Sequence, residues 1–239
     1  MRTPDPVSTE PLSPGPAPVA GPIPADDSPY WRFYDDVAAA QLARWLPASP
    51  SRVLDVSGGG HFAGQLTAAG HEVVRLDVPA VDQLADGSVD RVLAESSALS
   101  LCLGTELVVE QLTRVLRPGG RMLLVVESLM LGLARLAEQG RWAELADAPA
   151  ADVVLVPDAR GGVTRCFWPE ELAALLTAVG LEVEWVRPRS VLSVATVERA
   201  LQQGGDVALR TLVTTELSLA VERQGKSTGL LLHASARRP

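Results

Sequence analysis

Apolar residues along this chain follow two spacings. Between 30 and 45 they recur at helical intervals, as Tyr30, Phe33, Tyr34, Val37, Leu42 and Trp45, and Pro47 and Pro50 end the run. From there short apolar runs alternate with longer periodic ones. The pattern predicts strands over 52–57, 72–77, 89–94, 121–126 and 181–186, with a closing strand over 228–235. It predicts helices over 62–69, 105–116, 129–145, 169–179, 191–203 and 207–224. Gly70, Pro118-Gly119-Gly120 and Gly180 stand where three of these helices must stop, and Pro169 opens the last of the three. Two short runs, 153–156 and 163–167, read as a hairpin or as edge strands. Strand–helix alternation of this kind gives a mainly parallel sheet covered on both faces, an α/β fold.

The segment 1–28 breaks the pattern. It is rich in proline and nearly free of large apolar residues, so it is expected to be a disordered tail ahead of one domain over 29–239. The 239 residues are 47% hydrophobic and 21% charged, enough for one full core. A net charge of −8 and a pI near 4.9 argue against a nucleic-acid surface and against a polybasic membrane anchor. No apolar run reaches the length of a membrane span, and a cytoplasmic location is expected. Cys102 and Cys166 form no CxxC pair and the three histidines are scattered. No metal site is therefore expected, and both thiols read as core residues.

The densest chemistry lies at Val53-Leu54-Asp55-Val56-Ser57-Gly58-Gly59-Gly60-His61-Phe62. A strand, a glycine turn and a helix in succession let backbone N–H groups approach a nucleotide-like ligand. The second strand ends in Asp77, about 20 residues further on, where a carboxylate can accept bonds from ribose hydroxyls.

Several segments together resemble the class I S-adenosylmethionine-dependent methyltransferases. Val53-Leu54-Asp55-Val56-Ser57-Gly58-Gly59-Gly60 looks like that family's first motif. Asp86-Gly87-Ser88-Val89-Asp90-Arg91-Val92-Leu93 looks like the segment leading into its fourth strand. Arg114-Val115-Leu116-Arg117-Pro118-Gly119-Gly120 looks like its turn into the fifth, and Phe167-Trp168-Pro169-Glu170-Glu171-Leu172 like the start of its late helix. The likeness spans roughly 30–235.

The resemblance implies a Rossmann-like sheet of order near 3-2-1-4-5-7-6 with the last strand antiparallel. It also implies S-adenosylmethionine as cofactor, bound across the carboxyl ends of the strands. Asp55, Ser57, Gly58, Gly59 and Gly60 would approach the methionine end, Asp77 would hold the ribose, and Val78-Pro79-Ala80 would wall the adenine. Glu95 and Ser96 would face the reaction centre, and Asp82 or Asp86 would bond the adenine amino group. The implied activity is methyl transfer to a small-molecule acceptor.

The chain departs from that family's pattern in two places. The glycine loop is compressed by one residue. Between Asp77 and Val89 a helix and a strand are normally found, and here only 78–88 remains. Either the third strand is lost, or 72–77 substitutes for both neighbours.

Methyl transfer asks mainly for positioning, so catalytic candidates are few: His61, Glu95 and Tyr34. His61 reads equally as a solvent-facing helix cap, and Asp55 as a cap of its own turn. Tyr30, Trp31, Phe33 and Tyr34 read as a lid over the cofactor or as ordinary helix packing. The segment 140–164, with Trp142 and Arg160, is the candidate for acceptor specificity, and Glu127 for the pocket rim. Gly225-Lys226-Ser227 matches a phosphate loop only by chance, since a helix precedes it. Two other functions fit less well: a non-catalytic partner or regulatory protein of the same fold, and a nicotinamide-dependent oxidoreductase, for which the glycine spacing is wrong.

Overall fold

The computed structural model describes residues 24, 27–58, 60–102, 104–151, 153–157 and 162–239. Helix α1 (Tyr30–Trp45) comes first and buries Tyr30, Phe33, Val37, Ala38, Gln41, Leu42 and Trp45, one stripe at helical spacing. Its start is fixed by Ser28, which is buried, accepts from the Tyr30 amide at 3.0 Å and donates to Glu198. Ser28 is the last residue of the segment expected to be a tail. The rest of the expected tail, apart from residues 24 and 27, lies outside the described residues.

The chain then lays down β1 (Arg52–Asp55), α2 (Ala63–Ala68), β2 (Glu72–Arg75), β3 (Val89–Ala94), α3 (Thr105–Val115) and β4 (Leu116–Ser128). Strands β2, β1, β3 and β4 pair side by side and in parallel. After β4 come α4 (Leu129–Glu138), α5 (Trp142–Asp147), the hairpin β5 (Val154–Pro157) and β6 (Val163–Phe167), α6 (Pro169–Ala178), β7 (Glu182–Arg189), α7 (Val194–Glu222) and β8 (Leu231–Arg237). Strand β8 pairs antiparallel with both β4 and β7, so the sheet is mixed rather than purely parallel.

Following the strands across, the order is that expected from the resemblance with its third member missing. Among the described residues strand β2 pairs only with β1 and ends the sheet on that side. The chain returns from it through one 3₁₀ turn, Val78–Gln83. The strand is lost, and 72–77 does not replace it on a second side. What holds the shortened return is Arg114 of α3. It donates to Leu84 O at 2.8 Å, Val81 O at 3.2 Å and Asp86 Oδ1 at 2.5 Å, while its own carbonyl accepts from the Gly87 amide. One guanidinium satisfies the carbonyls that a ladder would otherwise pair.

The Pro118-Gly119-Gly120 turn lies inside β4 as a bulge, with the register shifting between Val89/Leu116 and Arg91/Arg121. Gly119 has φ +76, and a Cβ on Gly120 would sit 2.8 Å from the Arg117 carbonyl oxygen and 3.1 Å from that of Asp90. Strand β3 ends at Ala94 opposite Leu124, and β6 takes over the same edge of β4 at Glu127 and Ser128. The helical run expected over 129–145 is broken at Gly140, φ +67, into α4 and α5. The two helices expected over 191–203 and 207–224 are present as the two halves of α7, separated by a kink at Gly205, whose φ 50, ψ −133 is not helical.

The main core lies on one face of the sheet, under α3 and α6; α1 and α7 cover the other. Cys166 is buried in a separate cluster with Leu129, Leu136, Val154 and Val156, and burial raises its thiol pKa to about 12. Cys102 is half-buried. Among the described residues no helix is long and apolar enough to cross a membrane. Among the same residues no group of His, Cys, Asp or Glu could hold a metal ion.

Candidate functional site

The first strand delivers Asp55 to the carboxyl end of the sheet. Its carboxylate is 3% exposed; Oδ1 accepts from the Ser57 amide at 3.0 Å, and Oδ2 has no partner. A buried carboxylate oxygen left without a donor is costly unless a ligand supplies one. The turn that follows has Gly58 at φ +70 and Gly60 at φ +65, conformations in which a side chain would be strained. Gly59 lies outside the described residues.

Asp55 and Gly58 line a cavity of about 440 Å³ with Leu76, Asp77 and Ala80. Four residues singled out from the sequence thus converge on one space. Val78 packs against the main core beside it. Asp82 is exposed, and Asp86 is held by Arg114 rather than facing the cavity.

Arg75 also lines this space, and no motif pointed to it. It pairs with Asp55 across the β1–β2 ladder, and its guanidinium lies against Gly60, where a Cβ would collide with it. The Gly60 side of the bend is covered by this side chain, while nothing lies within 4 Å of a Cβ built on Gly58.

Ser57 is buried, and its Oγ accepts from the Glu95 amide at 2.9 Å. This bond ties the glycine turn to the end of β3. The Glu95 side chain does not face an open reaction centre. It is 1% exposed and takes two bonds from Arg189, at 2.7 and 3.0 Å. Arg189, from the end of β7, is equally buried; the carboxylate beside it holds its pKa above the ordinary arginine range against the effect of burial. The Tyr34 hydroxyl accepts from Arg189 at 3.4 Å, and its ring lies 5.7 Å from the guanidinium carbon. Burial raises the Tyr34 pKa above the ordinary tyrosine range.

On the far side of this cluster a second cavity, of about 310 Å³, opens over the ends of β3, β4 and β7. Tyr30, Trp31 and Tyr34 form one wall, and Leu131 and Leu231 contribute apolar surface. Glu127 reaches the rim, where Arg135 binds it through two contacts. Ser96, Ser97 and Ser190 line the same cavity. They are the only non-glycine residues with positive φ among the described residues, at 59°, 56° and 60°. Backbone held in that region costs on the order of 1–3 kcal/mol per residue and clusters at functional sites.

The other candidates fall elsewhere. His61 is 54% exposed and meets Asp35 of α1 at 3.3 Å on the surface. Trp142 is 66% exposed on α5, and Arg160 lies outside the described residues. Arg189 escaped the sequence reading because its partner is 94 residues away in the chain. Its strand, Glu182–Arg189, mixes charged and apolar residues and carries a second arginine, Arg187, so the sequence held no signal that singled out Arg189.

No family model matches this chain, and no curated protein matches it in sequence. Solved structures do. The chain is similar to a Burkholderia thailandensis 1,6-didemethyltoxoflavin-N1-methyltransferase, whose structure holds 1,6-didemethyltoxoflavin and S-adenosylhomocysteine. The TM-score is 0.53 at 17% identity over 88% of this chain and 81% of that one. A Thermotoga maritima S-adenosylmethionine-dependent methyltransferase aligns at 0.53 and 17% identity, over 87% and 89% of the two chains. One from Mesorhizobium loti aligns at 0.51 and 15%, over 84% and 98%. The fold of this protein is that of the class I S-adenosylmethionine-dependent methyltransferases.

Proposed function

We propose that this protein binds S-adenosylmethionine beside the glycine bend and transfers its methyl group to a small-molecule acceptor. One observation carries the reading. Two cavities lie near the end of β3, and a run of hydrogen bonds, Asp55–Ser57–Glu95, with Ser96 next in the chain, links the lining of one to the lining of the other. The unpartnered Oδ2 of Asp55 suits the cofactor's ammonium group, Gly58 lets the backbone approach, and Asp77 suits the ribose hydroxyls.

The cofactor supplies an activated methyl group on a sulfonium, which leaves the protein to bring the acceptor into line. The walled space between Tyr30, Trp31 and Tyr34 suits a ring-sized acceptor. The Glu95–Arg189–Tyr34 cluster fixes the floor between the two spaces, and the strained serines place hydroxyls at its edge. Titration calorimetry with S-adenosylmethionine and S-adenosylhomocysteine tests the binding step. Asp77→Ala is expected to weaken both by about 1–3 kcal/mol through lost charge-assisted bonds. Absence of binding by the wild type at high micromolar concentration overturns the reading.

A second reading, a non-catalytic protein of this fold, draws on Arg75. Its guanidinium covers Gly60, and the sheet stops at β2. If only Arg75→Ala binds the cofactor, the native chain is the non-catalytic form.

A further inference from the structure

A third cavity, of about 350 Å³, lies at the opposite end of α1 from the acceptor space and shares no lining residue with either cavity above. It sits between the last turns of α1, the second half of α7 and the outer face of β4, β7 and β8. Its charge is unusual for this molecule. The chain carries −8 overall, yet Arg44, Arg121 and Arg187 line this space against one carboxylate, Glu184. Glu184 pairs with Arg121 at 2.8 Å. Among the described residues neither Arg44 nor Arg187 has a carboxylate partner. Arg187 lies 4.4 Å over the Trp185 ring and donates to Gln224 Oε1 at 3.2 Å.

Two polar atoms deeper in the wall are also unsatisfied. Gln41 is 7% exposed and its Oε1 has no partner; His233 is 2% exposed and its Nε2 has none. Such atoms at the wall of a cavity call for a ligand's donor and acceptor. The remaining surface is apolar and aromatic: Trp45, Trp185 and Leu217. Cations at the mouth, aromatic faces along the sides and single polar atoms inside describe a guest with matching parts.

The geometry points to a second small-molecule site that takes a planar organic anion, an aromatic or heteroaromatic ring bearing one carboxylate. The carboxylate meets Arg44 and Arg187, the ring lies against Trp45, Trp185 and Leu217, and a ring N–H or O–H reaches Gln41 Oε1. The site does not depend on the cofactor reading, since it shares no residue with that cavity.

The test uses indole-3-acetate and salicylate as probes, with indole-3-acetamide as the neutral control. Binding is read by calorimetry, because the indole probes fluoresce in the same band as the chain's five tryptophans. At least one of the two anions is expected to saturate the protein, with the amide weaker by about tenfold or more. Arg44→Gln/Arg187→Gln is expected to cost that anion about tenfold or more, and Leu217→Trp to abolish its binding by filling the space. S-adenosylhomocysteine affinity, measured on the same samples, is expected to stay unchanged. Circular dichroism and thermal melts establish that each variant is folded, and the double arginine variant, altered at the cavity mouth, stands alone if Leu217→Trp does not fold. No saturation by either anion at millimolar concentration overturns the proposal. So does equal binding of acid and amide, or full affinity in the double variant.

Discussion

The Glu95–Arg189 pair is the residue-scale feature on which the site rests. Both side chains are 1% exposed and bonded twice. Taking one partner away leaves a buried charge with nothing to balance it, which costs about 3–5 kcal/mol. Glu95→Gln and Arg189→Met are each expected to destabilise by about that much in urea unfolding. The double variant Glu95→Leu/Arg189→Met should recover much of the loss, because an apolar pair needs no charge compensation. Strictly additive losses would mean the two groups do not stabilise one another. The motif pattern places Asp55, Gly58 and Asp77 where the structure gathers them, because strand ends and glycine turns are local events. It gives no hint that Glu95 turns inward, since that depends on where a strand 94 residues later ends.

At the scale of elements, the same distinction between local and distant causes holds. Helix α1 and strand β3 begin and end where the apolar spacing places them. The length of β4 and the docking of β6 on its free edge are set by pairing, and periodicity does not report on pairing. Helix α7 shows both causes at once. Glycines at 204 and 205 mark a break, and the sequence accordingly reads as two helices. The structure bears this out: the two halves meet at the non-helical Gly205, φ 50, ψ −133, and both pack on α1. Val194 and Val197 do so from one side of the bend, Leu209 and Leu217 from the other. Gly205→Ala is expected to cost about 1–3 kcal/mol, since a side chain is strained at that φ and a straightened helix would lift one half off α1. Gly64→Ala is the matched control. Gly64 lies in α2 with ordinary φ and open space around it, so alanine there should be neutral or gain up to about 1 kcal/mol. Equal effects of the two substitutions on the thermal midpoint would dismiss the bend as a cause of stability.

For the molecule as a whole, the outer face of the sheet makes stability depend on pH through one side chain. His233 sits in β8 under Trp185, whose ring centroid is 4.8 Å away, and is 2% exposed. Burial, with Arg189 and Arg187 adding repulsion, pushes its pKa well below the ordinary histidine range. The folded protein therefore refuses a proton that the unfolded chain accepts below about pH 6.5. Because the unfolded state then binds more protons, stability falls as pH drops through that value. The slope is up to about 1.4 kcal/mol per pH unit, and the loss continues until the folded imidazole itself protonates. Between pH 7 and pH 5 the wild type is expected to lose about 1–2 kcal/mol more than His233→Gln, which has no proton to take up at that position. Urea unfolding of both proteins at the two pH values measures the difference. Parallel losses would show that the acid sensitivity comes from the carboxylates elsewhere and that the outer face tolerates a charged imidazole.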